Sequence, residues 1–291
     1  MKPAPFTYHR PETLAEAVGL LADLGDEAKA LAGGQSLVPM LAMRLSIFEH
    51  LVDIGRLREM QGIERRNGHL WIGGGTTEAT VEHDAQVATD VPLLARATPL
   101  IGHLQIRNRG TVGGSIAHAD PAAEYPAVAL ALDAELEATG PDGTRVIPAA
   151  DFFTGLWTTA LGDAELLTGI RFPVWTGRTG FAAEEFARRH GDFAIAGTAI
   201  AVELDGDDKV TRCGIGLFGL GSTPVRASAA EQGVVGRTLA EISADEIGQA
   251  AVADLDDVPY DLNGSAAYRV RVGAAMVSRA WEAATAEASQ R

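Results

Sequence analysis

The sequence has almost no cysteine and no long apolar run. Among its 291 residues Cys213 is the only cysteine, which excludes a disulfide framework, a cysteine-rich zinc site and an iron–sulfur cluster held within this chain. No stretch reaches the ~20 apolar residues that a helix needs to span a bilayer. The N-terminal segment lacks the apolar stretch of a secretory signal. We therefore expect a cytoplasmic protein without a transmembrane segment.

Basic residues are also scarce. The chain has 24 Lys and Arg residues against 39 Asp and Glu, so its formal net charge is -15. Non-specific binding to nucleic acid needs a basic surface, and we expect no nucleic-acid partner. Apolar residues make up 46% of the chain and charged residues 22%, which is typical of a globular protein. The length predicts two domains or one large domain.

Motifs for metal binding and for nucleophilic catalysis are missing. No two of the seven histidines are four residues apart, and H-E-x-x-H does not occur. The G-x-S-x-G turn of serine hydrolases is absent as well. Cys213 lies among apolar residues and is predicted to be a core thiol. We predict neither a metal site nor catalytic residues.

Helix and strand patterns are mixed along the chain, without the strict alternation of a doubly wound fold. The spacing of Thr13 and Glu16 predicts a capped helix start. The polar, glycine-containing segment 175–180 predicts a boundary. Beyond it the pattern predicts two strands and then three helices, at 193–203, 209–220, 225–232, 243–253 and 265–286. The predicted fold class is α+β.

Two glycine-centred segments are the strongest candidates for a binding site. The first, 32–37, directly follows a predicted strand, and the second is 109–120. Paired glycines let backbone N–H groups approach an anion without a Cβ between them. Two such loops that met in space would hold a diphosphate from both sides. The alternative for each loop taken alone is an ordinary turn.

A third segment, Gly214–Gly219, matches the dinucleotide fingerprint G-x-G-x-x-G. That fingerprint requires a turn that follows a strand and opens a helix. Here the glycines lie within an apolar run, and no helix can begin before about Pro224. We interpret the segment as a glycine-rich strand, and a nicotinamide-binding enzyme built on it remains an alternative hypothesis.

Several polar and aromatic residues near these loops have two interpretations each. His118 either touches a cofactor or forms a loop hydrogen bond, and Asp120 is a candidate helix cap. Glu124 is a candidate ligand for a polyol hydroxyl group. Phe193 follows a charged turn and, judged from its surroundings alone, is predicted to be a core residue.

Taken in order, these segments resemble the FAD-binding medium subunits of molybdenum hydroxylases, the family of the carbon monoxide dehydrogenase medium subunit and the xanthine dehydrogenase FAD domain. The resemblance covers nearly the whole chain, and its specificity comes from the order and spacing of its parts. These parts are AGGQSLVP at 32–39, IGGGTT at 72–77, IRNRGTVGGS at 106–115, ADP at 119–121 with PA at 126–127, and GDFA at 191–194.

The resemblance implies a two-part FAD-binding domain of the vanillyl-alcohol oxidase type, followed by a small C-terminal domain of a sheet and helices. We accordingly predict an FAD-binding domain at 1–176, with subdomains at about 1–55 and 56–176. The C-terminal flavoprotein domain is predicted at 177–291.

The resemblance also implies the cofactor-binding residues. In the family the first glycine loop holds the FAD diphosphate, the second the ribityl–phosphate region, and an acid after it corresponds to Glu124, where Asp is usual. Ile101 and Ile170 match apolar residues, Ile101 near the adenine end, and Phe193 matches an aromatic that lies against the flavin ring where Tyr or Trp is common. The predicted set is Ala32, Gly33, Gly34, Gln35, Ser36, Leu37, Ile101, Thr111, Val112, Gly113, Gly114, Ser115, His118, Glu124, Ile170 and Phe193. Gln35 and Ser115 depart from residues frequent in the family, and we expect these changes to tune affinity and potential.

The function implied is that of an electron-transfer subunit. A large partner subunit would carry the molybdenum cofactor, a small one [2Fe–2S] clusters, and electrons would pass to the FAD of this chain and on to an external acceptor. The expected assembly is a heterohexamer with two copies of each subunit. The alternatives are a stand-alone FAD-dependent oxidoreductase of the same superfamily and an interaction protein that has lost its flavin.

Overall fold

A computed structural model describes residues 2–291 and divides their strands among three main sheets and one small hairpin. The first sheet is parallel and built from the N-terminal segment, with strand order β1-β3-β2. Its elements are β1 (Thr7–His9), α1 (Leu14–Leu24), β2 (Ala28–Leu31), α2 (Leu37–Met43) and β3 (His50–Asp53). The buried face of α1, formed by Ala17, Val18 and Leu21, packs with Val52 and Ile54 into one core cluster.

The hydrogen bonds at the N-terminus of α1 agree only in part with the predicted cap. The Thr13 hydroxyl accepts the N–H of Glu16 at 3.2 Å, as expected. The Glu16 carboxylate instead accepts the N–H of Glu12 at 2.8 Å. The helix therefore has a threonine N-cap, and the Glu16 carboxylate accepts the backbone N–H of the residue before that cap.

The second sheet is antiparallel, in the order β4-β5-β10-β6-β7. Its central strand β10 pairs with β5 on one side and β6 on the other. Helices from the long connection between β5 and β6 cover it and form the largest core cluster. The elements are β4 (Ile63–Arg66), β5 (His69–Gly73), α3 (Glu78–His83), α4 (Ala85–Asp90), α5 (Pro92–Ala97), α6 (Leu104–Arg107), α7 (Val112–His118), α8 (Glu124–Ala131), β6 (Glu135–Gly140), β7 (Gly143–Pro148), β8 (Phe153–Gly155), β9 (Thr158–Thr159) and β10 (Leu166–Pro173).

The third sheet, β11-β12-β13-β14, is antiparallel and carries the C-terminal helices. The long helix α11 lies against β11 so closely that a Cβ placed at Gly180 would be 1.8 Å from the carbonyl oxygen of Ala284. The elements are β11 (Arg178–Phe186), β12 (Ala196–Leu204), β13 (Val210–Phe218), β14 (Val225–Arg226), α9 (Ser228–Val234), α10 (Ala244–Val252) and α11 (Ala266–Gln290).

The glycines of the false dinucleotide fingerprint join the third sheet to α8. Gly214 and Gly216 lie inside β13, which confirms the glycine-rich strand. A Cβ at Gly214 would be 1.9 Å from the carbonyl oxygen of Ala131, and one at Gly216 would be 2.1 Å from that of Ala127. The glycines are therefore used to bring a helix against a sheet, because no side chain fits between them.

The predictions from the sequence omit one long strand, and they start other elements a few residues too early. β11 was not predicted, because its first residues fall in the breaker-rich segment 175–180 that we interpreted as a boundary. The strand predicted at 193–203 begins at Ala196, so Phe193 lies before it. The segment 225–232 begins as a two-residue strand, and its helix starts at Ser228.

The predicted domain boundary stays a prediction, and it falls between the end of β10 and the start of β11. Among residues 2–291, none of the helices combines the length and apolarity that a bilayer-spanning segment requires.

Candidate functional site

The first glycine segment connects β2 to α2 and offers a row of free backbone donors. Within the described part of the chain, the N–H groups from Gly33 to Leu37 donate to no protein acceptor. Ser36 caps α2 without a side-chain hydrogen bond. The Gln35 side chain turns back and donates to the Gly33 carbonyl oxygen at 3.0 Å. Consecutive free N–H groups in such a turn form a concave site for an anion.

The two glycine segments are in direct contact. A Cβ placed at Gly33 would be 2.1 Å from the carbonyl oxygen of Arg109 and 2.7 Å from Cα of Gly110. A Cβ at Gly114 would be 3.4 Å from that of Ala32. Gly34 has φ of +73°, a conformation that favours glycine. The expectation that these distant stretches of sequence meet in space is confirmed.

The second segment differs from the expected loop. Val112–His118 is the helix α7, and the Thr111 hydroxyl caps it by accepting the N–H of Gly114 at 3.0 Å. The N–H of Val112 donates to Thr76 and that of Gly113 to Gly74, at 3.0 and 2.9 Å. The amides of Val112, Gly113 and Gly114 are thus used within the protein, and the prediction that this segment binds the cofactor stays a prediction.

A third glycine segment, Gly73–Gly75, packs against the second. The N–H of Gly74 donates to the Thr168 carbonyl oxygen at 2.9 Å, and its own carbonyl accepts from Gly113. A Cβ at Gly113 would be 2.6 Å from Cα of Gly74. The sequence includes this segment in the family resemblance but not among the binding residues. Its role in the structure is to let α7 approach the second sheet.

Two buried glutamates, Glu78 and Glu124, and the half-buried Glu185 interact with one another near these segments. Glu124, a predicted site residue, is the first residue of α8 and is 8% exposed. Its carboxyl group is a hydrogen-bond neighbour of Glu185 on β11. Glu78, at the start of α3, is 4% exposed, and its Oε2 atom has no hydrogen-bond partner in the described residues. Sequence reasoning missed Glu78 and Glu185, since an acid in a first helical turn or on a strand carries no sign of burial.

Burial governs the ionisation of all three groups. Loss of solvent raises the pKa of Glu78 to about 8, although Arg107 opposes the rise. Burial likewise raises the pKa of Glu185 to about 7. Burial, followed by the charge of Glu185, raises the pKa of Glu124 well above its ordinary value. These carboxyl groups therefore hold protons that exposed glutamates release.

His118 lies in the last turn of α7 and is half-buried. Burial lowers the pKa of its imidazole, while Asp120 opposes this change and Lys29 adds to it. Lys29 lies on β2, the strand that leads into the first glycine segment. Its effect on His118 therefore shows that the end of α7 is close to this strand. The ring is neutral near pH 7 and has one nitrogen free to accept a hydrogen bond.

The remaining predicted residues are not all gathered at the glycine segments. Ile170 lies in β10 with its side chain wholly inside the main core, and Ile101 packs against that core. Phe193 is 71% exposed, so the core interpretation of its side chain is wrong. The loop before it packs on His103, since a Cβ at Gly191 would be 2.5 Å from that ring. The cofactor contacts predicted for these three residues stay predictions.

One group of surface residues away from the glycine segments has metal-ligand character. Ligand atoms of Glu27, Glu49 and His50 lie within 4.8 Å of one another, where β2 and β3 begin. The nearby His9 and His50 rings are hydrogen-bonded at 3.0 Å. The two glutamates are exposed, and the prediction that the chain has no metal site stays a prediction.

Comparison with protein families accounts for almost the whole chain. Residues 4–175 match the FAD-binding domain in molybdopterin dehydrogenase, and residues 181–284 match the C-terminal domain of carbon monoxide dehydrogenase flavoproteins. This chain belongs to the family of FAD-binding medium subunits of molybdenum hydroxylases. It is an FAD-dependent oxidoreductase subunit, with an FAD-binding domain followed by the family's C-terminal domain.

Individual relatives of this medium-subunit family are similar over their full length. The chain is 38% identical to the carbon monoxide dehydrogenase medium chain of Hydrogenophaga pseudoflava, covering 98% of this chain and 99% of that one. It is 42% identical to the 6-hydroxypseudooxynicotine dehydrogenase complex subunit alpha of Paenarthrobacter nicotinovorans, over 96% and 94%. A solved structure of the Hydrogenophaga pseudoflava carbon monoxide dehydrogenase aligns with a TM-score of 0.95 and 40% identity, over 99% of both chains.

The residues of the medium subunit fit FAD. The free amides of Gly33–Leu37 suit a diphosphate, whose oxygens accept hydrogen bonds from successive N–H groups. Gly33 and Gly34 leave no side chain over these donors.

Proposed function

We propose that this chain carries electrons within a molybdenum hydroxylase, receiving them from a [2Fe–2S] partner subunit and passing them to an external acceptor. The observation that carries the proposal is the row of free amides at Gly33–Leu37, braced by the contact between Gly33 and Gly110. FAD supplies the redox chemistry when it is bound there. The protein's own contribution is to bind, orient and shield the cofactor.

Different residues would bind, orient and shield the cofactor. Gly33–Leu37 would donate to the diphosphate, and Gly33 admits no side chain because Arg109 and Gly110 fill that space. Thr111, Gly113 and Gly114 would shape the neighbouring wall, with the amides of Gly113 and Gly114 occupied in bracing and capping α7. Glu124 would bind a polyol hydroxyl group of the cofactor, and Phe193 would cover the flavin ring.

The partners follow from what the chain lacks and from its relatives. One cysteine cannot hold an iron–sulfur cluster, so the clusters would belong to a small subunit. Relatives are described as a medium chain and as a subunit of a dehydrogenase complex, which supports a large molybdenum subunit as the second partner. The proposal includes two copies of each of the three subunits and a cytoplasmic location.

Gly33→Ala tests the cofactor site. We expect the wild-type chain to bind about one FAD and the variant to lose binding, because the added Cβ would overlap the Arg109 carbonyl oxygen. The measurement is flavin absorbance of the purified protein and titration of apoprotein with FAD. Gly19→Ala is the matched control, since Gly19 has no neighbouring atom within 4 Å of an added Cβ. A folded wild-type chain that does not bind FAD would refute the proposal.

Purification of the native complex tests the partners. We expect molybdenum, iron and FAD to co-purify, with three polypeptides in equal amounts and a mass that corresponds to two copies of each. Rapid reduction by the complex's substrate should then appear in the flavin spectrum only when the iron–sulfur subunit is present. If the FAD-loaded chain alone oxidised a substrate at the rate of the complex, the stand-alone oxidoreductase would replace this proposal.

A further inference from the structure

Glu78 and Glu124 are buried and Glu185 is half-buried, and none of the three forms a salt bridge within residues 2–291. Glu78 faces the second glycine segment, where a Cβ at Gly110 would be 2.5 Å from its Oε2 atom. That oxygen is buried and without a hydrogen-bond partner in the described residues, on a side chain that is 4% exposed. The cation that acts on Glu78 is Arg107. Its guanidinium is already bound to Glu82 by two hydrogen bonds, at 2.7 and 3.0 Å.

Glu124 and Glu185 form a pair that requires a proton. Their carboxyl groups are hydrogen-bond neighbours, and ionisation of one carboxyl group disfavours ionisation of another so close to it. Oε2 of Glu185 is itself buried with no partner in the part of the chain that the structure describes. The charge of Glu78 also acts on Glu124. Glu124 therefore titrates together with Glu185, and the charge of Glu78 adds to the rise in the pKa of Glu124.

Other charged and titratable groups lie on the elements around these three glutamates. Tyr125 is wholly buried and donates to or accepts from Thr98 at 2.9 Å. Several charged groups on the neighbouring elements have partners of their own. These pairs are Arg96 with Glu287, His118 beside Asp120, and Arg226 with Asp133 and Glu231.

The cluster adjoins the proposed cofactor site. The N–H of Glu78 donates to the Gly110 carbonyl oxygen at 2.9 Å, and Cα of Gly110 is 2.7 Å from where a Cβ of Gly33 would be. Only the Gly110 backbone thus separates the Glu78 carboxyl group from the segment whose amides are free. A diphosphate bound there would place negative charge close to a group that becomes negative when it loses its proton.

We propose that Glu78, Glu124 and Glu185 form a proton-holding site against the cofactor, and that FAD binds tightly only while this site is protonated. The inference rests on the proposed FAD site and adds residues that set its affinity. In the protonated state the acids add no charge beside the diphosphate and have O–H groups to donate. In the ionised state the carboxylates repel the diphosphate. Binding of FAD is then linked to uptake of protons from solvent.

The test measures FAD affinity between pH 6.5 and 9. For each proton linked to binding, the Kd rises up to tenfold per pH unit above the pKa of the free site. We expect the wild-type Kd to rise at least tenfold from pH 7 to 9. Glu78→Gln and Glu185→Gln should flatten this rise, because a neutral amide does not ionise. Calorimetry in buffers of different ionisation enthalpy should show proton uptake at pH 8 in the wild type and less in the variants.

Glu184→Gln is the matched control. Glu184 precedes Glu185 on β11 and therefore points to the opposite face of the sheet. Its variant should keep the wild-type pH profile. A wild-type Kd that is independent of pH would overturn the proposal, and so would Gln variants that retain the full pH dependence.

The cofactor-free chain separates this proposal from the proposed function. A raised pKa means that the folded chain keeps protons that the unfolded chain releases, so stability falls as the pH rises from 4.5 to about 8. Glu78→Gln should remove part of that fall in urea unfolding of the apoprotein. If the wild type bound no FAD at any pH, the proposed function would fail. A wild-type chain and variant with equal pH dependence of unfolding would overturn the proton-holding site itself.

Discussion

The closest approaches around the site are made by single glycines whose neighbours occupy the place of a side chain. Gly33 meets the Arg109 carbonyl oxygen, and Gly74 meets that of Leu167, each 2.1 Å from an added Cβ. A single methyl group at either position would force backbone to move. At this scale the site depends on the absence of atoms, which is why these positions tolerate so little change.

The single cysteine illustrates the opposite case, a residue made inert by its surroundings. Cys213 is 5% exposed in β13, and burial strongly raises the pKa of its thiol. We expect a thiol reagent at pH 8 to leave Cys213 unmodified in the native chain and to react with one thiol per chain in urea. The reaction is followed by absorbance. Fast labelling of the native chain would show that β13 opens readily.

At the scale of elements, the packing of α8 on β13 ties the C-terminal sheet to the rest of the molecule. Gly214 and Gly216 lie directly under the carbonyl oxygens of Ala131 and Ala127. The N–H of Gly219 donates to the Pro121 carbonyl oxygen at 2.8 Å. Glu124 begins the same helix. The position of Glu124, for which we propose a contact with the cofactor, therefore depends on a glycine-lined contact with another sheet.

Gly214→Ala tests this dependence. The new Cβ would be 1.9 Å from the Ala131 carbonyl oxygen, so we expect a loss of about 2 kcal/mol or more in the free energy of unfolding. FAD affinity should fall as well, because α8 moves. Gly206→Ala is the control, since Gly206 lies in a turn with nothing within 4 Å. Urea unfolding and FAD titration measure the two effects, and equal stability of the two variants would contradict the packing argument.

Over the whole molecule, the guanidinium of Arg226 on β14 links α8 to α9. It binds both carboxylate oxygens of Glu231 at 3.0 Å, the Leu130 carbonyl oxygen at 3.1 Å, and Asp133. Glu231 is 7% exposed and also accepts the N–H of Ile215 at 2.7 Å. Removal of the arginine would leave a buried carboxylate without its cation.

Arg226→Ala should therefore cost about 3 kcal/mol of unfolding free energy at pH 7, as for other buried pairs deprived of one partner. Glu64→Gln, which breaks the exposed pair with Arg66, should have a much smaller effect. Chemical denaturation of both variants provides the comparison. A small loss for Arg226→Ala would show that Glu231 becomes protonated or hydrated at little cost.

The family, the fold class and the meeting of the first two glycine segments were all predictable from the sequence. Their signals are local, because a glycine pair after an apolar run, or an apolar period along a helix, is visible without knowledge of the fold. The same local logic correctly assigned Gly214–Gly219 to a strand. It failed at β11, whose first residues resemble a linker, and at Phe193, which lies in a loop before β12.

By itself, the sequence determined which backbone stretches have no side chains and where apolar faces recur. Only the tertiary structure decided which amides remain free, since the donors of Val112 and Gly113 are used by Thr76 and Gly74, whereas those of Gly33–Leu37 are not. The folded structure also determines which acidic side chains are buried away from solvent. Hydrogen-bond partners and desolvation depend on residues distant in the chain, so no local pattern encodes them.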